Sequence, residues 1–124
     1  MPDMGDEIIT DSQTIEMRTP YKALPRLQRQ HFLDHQKGEG APRRVSLGAH
    51  PIVLGRADHA DIVIQSAQAS RRHAIIHPRH GEYQLLDNNS RNGIYLNEIK
   101  VHSAILRDGD MIQIAEDVFI YREG

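Results

Sequence analysis

Beyond about Gln28 the chain alternates short apolar runs with turn-forming polar residues, and none of the runs is long enough for a helix. The runs are Pro51 to Leu54, Asp61 to Ile64, His73 to His77, Glu82 to Leu86, Ile94 to Leu96, Met111 to Ile114 and Val118 to Tyr121. They are rich in Ile, Val and Tyr, and are broken by Gly48, Pro78, Gly81, Asn88-Asn89, Asn92-Gly93 and Asp108-Gly109-Asp110. Strand-length runs with turn signals spaced roughly 8–12 residues apart predict an all-β sandwich, with a small barrel as the other arrangement. No stretch repeats apolar residues at helical spacing over several turns, which sets aside bundles and solenoids.

Upstream, Gln28 to His35 and Arg43 to Leu47 read as a first hairpin, with Lys37-Gly38-Glu39-Gly40-Ala41-Pro42 supplying the turn. Residues 1–26 have another texture: polar, acidic and ending in the breakers Pro20 and Pro25, they are expected to form a flexible tail ahead of a domain spanning 27–124. Asp3, Asp6, Glu7, Asp11 and Glu16 meet no Lys or Arg within residues 1–16, whereas 27–124 holds twelve acids and twelve bases.

A chain of 124 residues builds one core and no second catalytic domain. Apolar residues at 39% and charged residues at 26% are ordinary for a compact fold. No apolar run approaches the roughly 20 residues of a membrane helix, and the acidic stretch Met1 to Thr10 lacks the basic start of a secretory signal. Zero cysteines excludes disulfides, cysteine zinc sites and cysteine nucleophiles. A net charge of −2 supplies no field for nucleic acid. The expectation is a cytoplasmic domain with no cofactor, no bound metal, no membrane and no nucleic-acid partner.

Three turn segments place strong hydrogen-bonding groups just outside strands: Gly55-Arg56, Ser70-Arg71-Arg72-His73, and Asn89-Ser90-Arg91-Asn92-Gly93. A guanidinium offers five donors in a fixed fork, which suits Arg56, Arg71, Arg72 and Arg91 to a phosphate dianion. Ser70 and Ser90 can add hydroxyl donors, and Asn92 can donate to and accept from an extended backbone. The same residues also fit solvated arginines and an Asn-Gly turn.

The order of these pieces decides between the two. Leu54-Gly55-Arg56, Asp61-Ile62, Ser70-Arg71-Arg72-His73-Ala74, Asp87 before Ser90-Arg91-Asn92-Gly93, Leu96-Asn97, and Leu106-Arg107-Asp108-Gly109-Asp110-Met111-Ile112 follow one another over roughly residues 50–115. This succession resembles the forkhead-associated domain family. The resemblance implies a β-sandwich of short antiparallel strands with binding loops at one end, and a module that reads phosphothreonine in partner proteins, such as Ser/Thr kinases or their substrates. It implies that Arg56 and Ser70 bind the phosphate, that Arg71 contacts the peptide, that Asn92 holds the peptide backbone, and that Gly55, His73 and Gly93 shape the loops. Two departures are Arg91 and Ile94, each where the family often has Thr; Arg91 can either strengthen phosphate binding or point to solvent, and it is added to the candidate phosphopeptide-binding residues. Gln68 stands two before Ser70, where the family often helps select the third residue after the phosphothreonine; a neutral amide there gives no clear charge preference. A pocket for the threonine methyl favours threonine over serine by about 1 kcal/mol, or roughly fivefold to tenfold.

All three threonines, Thr10, Thr14 and Thr19, lie in the tail. About a dozen linker residues at ~3.3 Å each reach ~40 Å, so a phosphorylated tail threonine, Thr14 or Thr19 foremost, can fold back onto the site. Rival readings are a phospho-independent interaction or oligomerisation scaffold, a nucleophilic triad of Ser70, His73 and Asp61 or Asp87, and a metal site of His73, His77 and His80. Arg56 together with Ser70 argues against the first, and the absence of a nucleophile elbow against the second. Pro78 interrupts the third.

Overall fold

The computed structural model describes residues 29–124, and all their regular structure is β-strand. The proposed tail, with Thr10, Thr14 and Thr19, lies outside the described residues. The strands are β1 (His31–Lys37), β2 (Arg43–Leu47), β3 (Ile52–Gly55), β4 (Ile62–Val63), β5 (Ala74–Arg79) and β6 (Glu82–Asp87), then β7 (Ile94–Leu96), β8 (Ile99–Val101), β9 (Ser103–Ile105), β10 (Met111–Ile114) and β11 (Asp117–Glu123). They form two sheets, ordered β9-β6-β5-β3-β4 and β2-β1-β11-β10-β7-β8.

Alternation along the strands makes the sandwich. Ala74 and Ile76 of β5, Tyr83 and Leu85 of β6, Ile112 and Ile114 of β10, and Phe119 and Tyr121 of β11 turn inward and are buried, while their neighbours face outward. With Leu33, Leu54, Ile62, Ile94 and Leu106 they form one cluster between the sheets. Each fully buried large side chain contributes about 1.5–3 kcal/mol. The core also holds a polar pair: the His35 ring, stacked on Phe119, meets the Asp117 carboxylate at 2.8 Å.

Three details depart from the sequence expectation. First, the strands are not all antiparallel, since β3 and β4 run parallel, with Leu54 opposite Ile62 and Gly55 opposite Val63. The short return through residues 56–61 is held by the Asp61 carboxylate, which accepts the Val53 N–H at 2.8 Å. Second, β5 continues through Pro78, which pairs with Tyr83 of β6. On the other side β3 reaches only as far as Ile76, so the missing N–H of Pro78 deprives no neighbour. Third, β8 and β9 were not anticipated, because Ile99–Val101 and Ser103–Ile105 are three-residue sheet edges without an alternating run. Asn97 and Glu98 both take positive φ, 50° and 72°, closing the tight β7–β8 hairpin.

Candidate functional site

The ends of β3, β4 and β6 deliver three loops to one end of the sandwich, and backbone hydrogen bonds tie the loops together. Arg56 N donates to Ser70 O, Ala57 N to Arg71 O, and His73 N to Leu54 O, at 2.8–3.0 Å. This requires the 70–73 segment to lie directly against β3. At Gly55 a Cβ would stand 2.1 Å from Arg71 O and 2.9 Å from His73 N, so only glycine admits the approach. The third loop joins through Asn88, whose N–H donates to His73 O and whose side-chain amide donates to Arg72 O.

His73 is the buried connector. Its Nδ1 accepts the Ser70 N–H at 2.9 Å, which leaves Nε2–H to donate to Gly93 O at 2.7 Å. One neutral imidazole therefore links the second loop to the third. Gly93 has φ +83°, a conformation that other residues rarely take, and the Lys100 side chain lies across it.

Between the loops lies a cleft of about 200 Å³, lined by Arg56, Ser70, Arg71, Arg91 and residues 67–69. The Arg56 Nε donates to Ala69 O at 3.0 Å, which anchors the guanidinium and leaves its terminal nitrogens for a ligand. The Ser70 hydroxyl accepts the Arg91 N–H at 3.0 Å, so its own proton is available to donate. Elsewhere Arg29, Arg44, Arg107 and Arg122 pair with carboxylates; Arg56, Arg71 and Arg91 have no ion-pair partner among the described residues. An unneutralised cluster of three guanidiniums beside a free hydroxyl proton is suited to a dianion with tetrahedral oxygens. At the rim, the Asn92 amide nitrogen donates to the Gln68 carbonyl at 2.8 Å and approaches its side-chain oxygen at 3.3 Å. Its donor thus stays within the protein, and its oxygen has no hydrogen-bond partner among the described residues.

The cleft gathers Arg56, Ser70, Arg71 and Arg91 from three loops, with Asn92 beside them. It does not include Arg72, and it does not include Ser90. The Ser90 oxygen accepts the Gly93 N–H at 2.9 Å and its N–H donates to Asp87, so Ser90 braces its own loop. The triad geometry is missing: Nδ1 of His73 meets the backbone of Ser70 and not its hydroxyl, Asp61 holds Val53 N–H, and Asp87 holds Ser90. Among the described residues no group of three His, Asp or Glu side chains is placed to hold a metal. His73 is buried while the His77 ring turns outward to Pro78 O. Sequence reasoning overlooked a second recess beyond Asn92, formed by Tyr95, Gln113 and Glu116. Its residues sit on separate strands and a turn, with no local motif to announce them.

A β-sandwich whose loop end presents clustered cations and backbone-reading amides is the architecture of a peptide-binding module. The sequence pattern of the FHA domain matches residues 52–115, and the chain belongs to that family. It is 40% identical over 85 residues to the FHA domain-containing protein FhaB of Mycolicibacterium smegmatis, covering 66% of this chain and 55% of the relative. The glycogen accumulation regulator GarA of the same organism is 35% identical over 89 residues, covering 72% of this chain and 56% of GarA. The chain thus spans about half the length of these relatives. Among solved structures, the FhaA FHA domain complexed with the intracellular domain of Rv3910 superposes with a TM-score of 0.68 at 29% identity, covering 74% of this chain and 99% of that one. Mycobacterium tuberculosis EmbR, solved with a low-affinity phosphopeptide, gives 0.69 at 30% identity over 77% of this chain and 24% of EmbR.

Proposed function

We propose that this chain is a phosphothreonine-peptide binding module that mediates phosphorylation-dependent protein association, and that Arg56, Ser70, Arg71, Arg91 and Asn92 carry the binding. The observation that supports this most strongly is the cleft in which three unpaired guanidiniums and a hydroxyl proton converge. Arg56 and Ser70 take the phosphate oxygens, Arg71 and Arg91 neutralise the remaining charge, and the Asn92 oxygen accepts a peptide N–H. Gly55, His73 and Gly93 hold the three loops in register and touch no ligand. The module works by binding, without a nucleophile or acid-base pair: both nitrogens of the one buried imidazole in the site are engaged by backbone. The partners are proteins that carry a phosphothreonine added by a Ser/Thr kinase, and the compartment proposed for the module is the cytoplasm. No helix among the described residues is long and apolar enough to cross a membrane.

The test is a degenerate peptide library presented with phosphothreonine, phosphoserine or threonine at its fixed position. Selective, micromolar capture of the phosphothreonine set supports the reading, while equal capture of the unphosphorylated set favours a phospho-independent scaffold. A second reading concerns the tail, where all three threonines lie. A phosphorylated Thr14 or Thr19, or less favourably Thr10, docks on the cleft of its own chain and competes with partners at millimolar effective concentration. Threonine-to-alanine changes at positions 10, 14 and 19 together that leave competition by kinase-treated protein unaltered would remove this second reading.

A further inference from the structure

Next to the phosphate cleft lies a recess of about 380 Å³ bounded by Gln68, Asn92, Tyr95, Gln113, Ala115 and Glu116. Gln68 borders both cavities, and Asn92, whose amide donates to the Gln68 carbonyl, borders the recess. Tyr95 and Gln113 are cross-strand partners on β7 and β10. Because Ile94, Ile112 and Ile114 are the buried residues of those strands, Tyr95 and Gln113 stand on the outer face of the sheet.

The chemistry of this lining is one-sided. Gln113 spends an amide hydrogen on Ala115 O at 3.4 Å and keeps its oxygen free, as Asn92 does. Glu116 follows Ala115, whose φ is +55°, in the β10–β11 turn, and it has no ion-pair partner among the described residues. Its exposed carboxylate contrasts with Asp34, Glu82, Asp117 and Glu123, which all contact a cationic or imidazole side chain. The recess thus combines an aromatic ring, a carboxylate and two free amide oxygens, and no lysine, arginine or histidine lines it.

We propose that this recess is a specificity subsite for a cationic side chain of the ligand, arginine above lysine, and that Glu116 sets the preference. The inference rests on the phosphothreonine reading of the neighbouring cleft. A guanidinium can lie on the Tyr95 ring while its fork donates to Glu116 and the Gln113 oxygen; an ammonium offers fewer directed donors. An extended peptide advances ~3.3 Å per residue with alternating side chains. Because the two cavities share Gln68, the cation sits within a few residues of the phosphothreonine. Gln68 on its own is neutral and gives no charge preference; the preference comes from a carboxylate 48 positions later in the chain.

The experiment is fluorescence polarisation with phosphothreonine peptides in an alanine background, placing Arg, Lys, Glu or Leu in turn at each of the four positions on either side. Wild-type protein is expected to bind the Arg peptide about fivefold to tenfold more tightly than the Glu peptide at one position, as an exposed ion pair with a cation–π contact allows. Glu116→Lys should reverse the order at that position, so that the Glu peptide binds better. Tyr95→Leu should narrow the Arg advantage over Leu without reversing it. A flat charge profile, or an Arg preference that survives Glu116→Lys, overturns the inference while phosphate-dependent binding keeps the parent reading intact. Loss of all phosphate dependence in the wild type overturns both.

Discussion

Replacing Gly55 with alanine tests how the loops are held, because the space the new methyl would need is occupied by backbone. The added Cβ would lie 2.1 Å from Arg71 O, where ordinary contact begins at 3.4 Å, so the 70–73 segment must retreat by about 1.3 Å. Flexible side chains cannot absorb that shift, since the other near atoms are Arg71 C at 2.7 Å and His73 N at 2.9 Å. The bonds Ala57 N to Arg71 O at 3.0 Å and His73 N to Leu54 O at 2.8 Å then lengthen or break. At about 1 kcal/mol for each bond, plus strain, the expected destabilisation is about 2–3 kcal/mol. For a domain of this size that lowers Tm by roughly 10–20 °C. Ser70 also moves away from Arg56, and losing one charge-assisted bond weakens phosphopeptide binding by about tenfold or more. Differential scanning calorimetry and polarisation on Gly55→Ala provide the readouts. Gly48→Ala is the control, because nothing lies within 4 Å of its Cβ. A Gly55→Ala protein with wild-type Tm and affinity would refute the argument that this contact holds the site.

Three further outcomes follow from the same geometry. Ser70→Ala removes the acceptor of Arg91 N–H and the hydroxyl that faces the cleft, and should cost about tenfold in phosphopeptide affinity with about 1 kcal/mol or less in stability by urea titration. His73→Leu leaves Ser70 N–H and Gly93 O without partners, so it should destabilise the fold by about 2–4 kcal/mol and lower affinity although His73 touches no ligand. Asp117→Ala strands the buried His35 ring and should cost about 2–4 kcal/mol in urea unfolding, while peptide affinity of the folded protein stays unchanged.

Most of the scaffold was legible because burial alternates with the pleat. Ile112 and Ile114, or Tyr83 and Leu85, declare an inner face in the sequence itself. What escaped was set by long-range pairing. The parallel β3–β4 contact follows from a side-chain bond of Asp61 to Val53, and the three-residue edges β8 and β9 exist only because β7 and β6 supply partners. At the site, the ordered blocks marked Arg56, Ser70, Arg71, Arg91 and Asn92, which the fold gathers at one end. Residue type alone could not separate Ser70 from Ser90, two possible hydroxyl donors with opposite uses of their oxygens in space, whereas the order of the blocks singled out Ser70. Nor could it join Gln68 to Glu116, which line one recess only because a loop and the β10–β11 turn converge.

The central claim is that Arg56 recognises a phosphate, and a thermodynamic cycle by isothermal titration calorimetry measures that most directly. Wild type and Arg56→Ala are each titrated with one peptide in its phosphothreonine and threonine forms, and the coupling between arginine and phosphate is read from the four affinities. A coupling of at least about 2 kcal/mol, roughly thirtyfold, is expected, with phosphorylation conferring little advantage in the Arg56→Ala protein. A coupling near zero, with phosphorylation strengthening both proteins equally or neither, would contradict it.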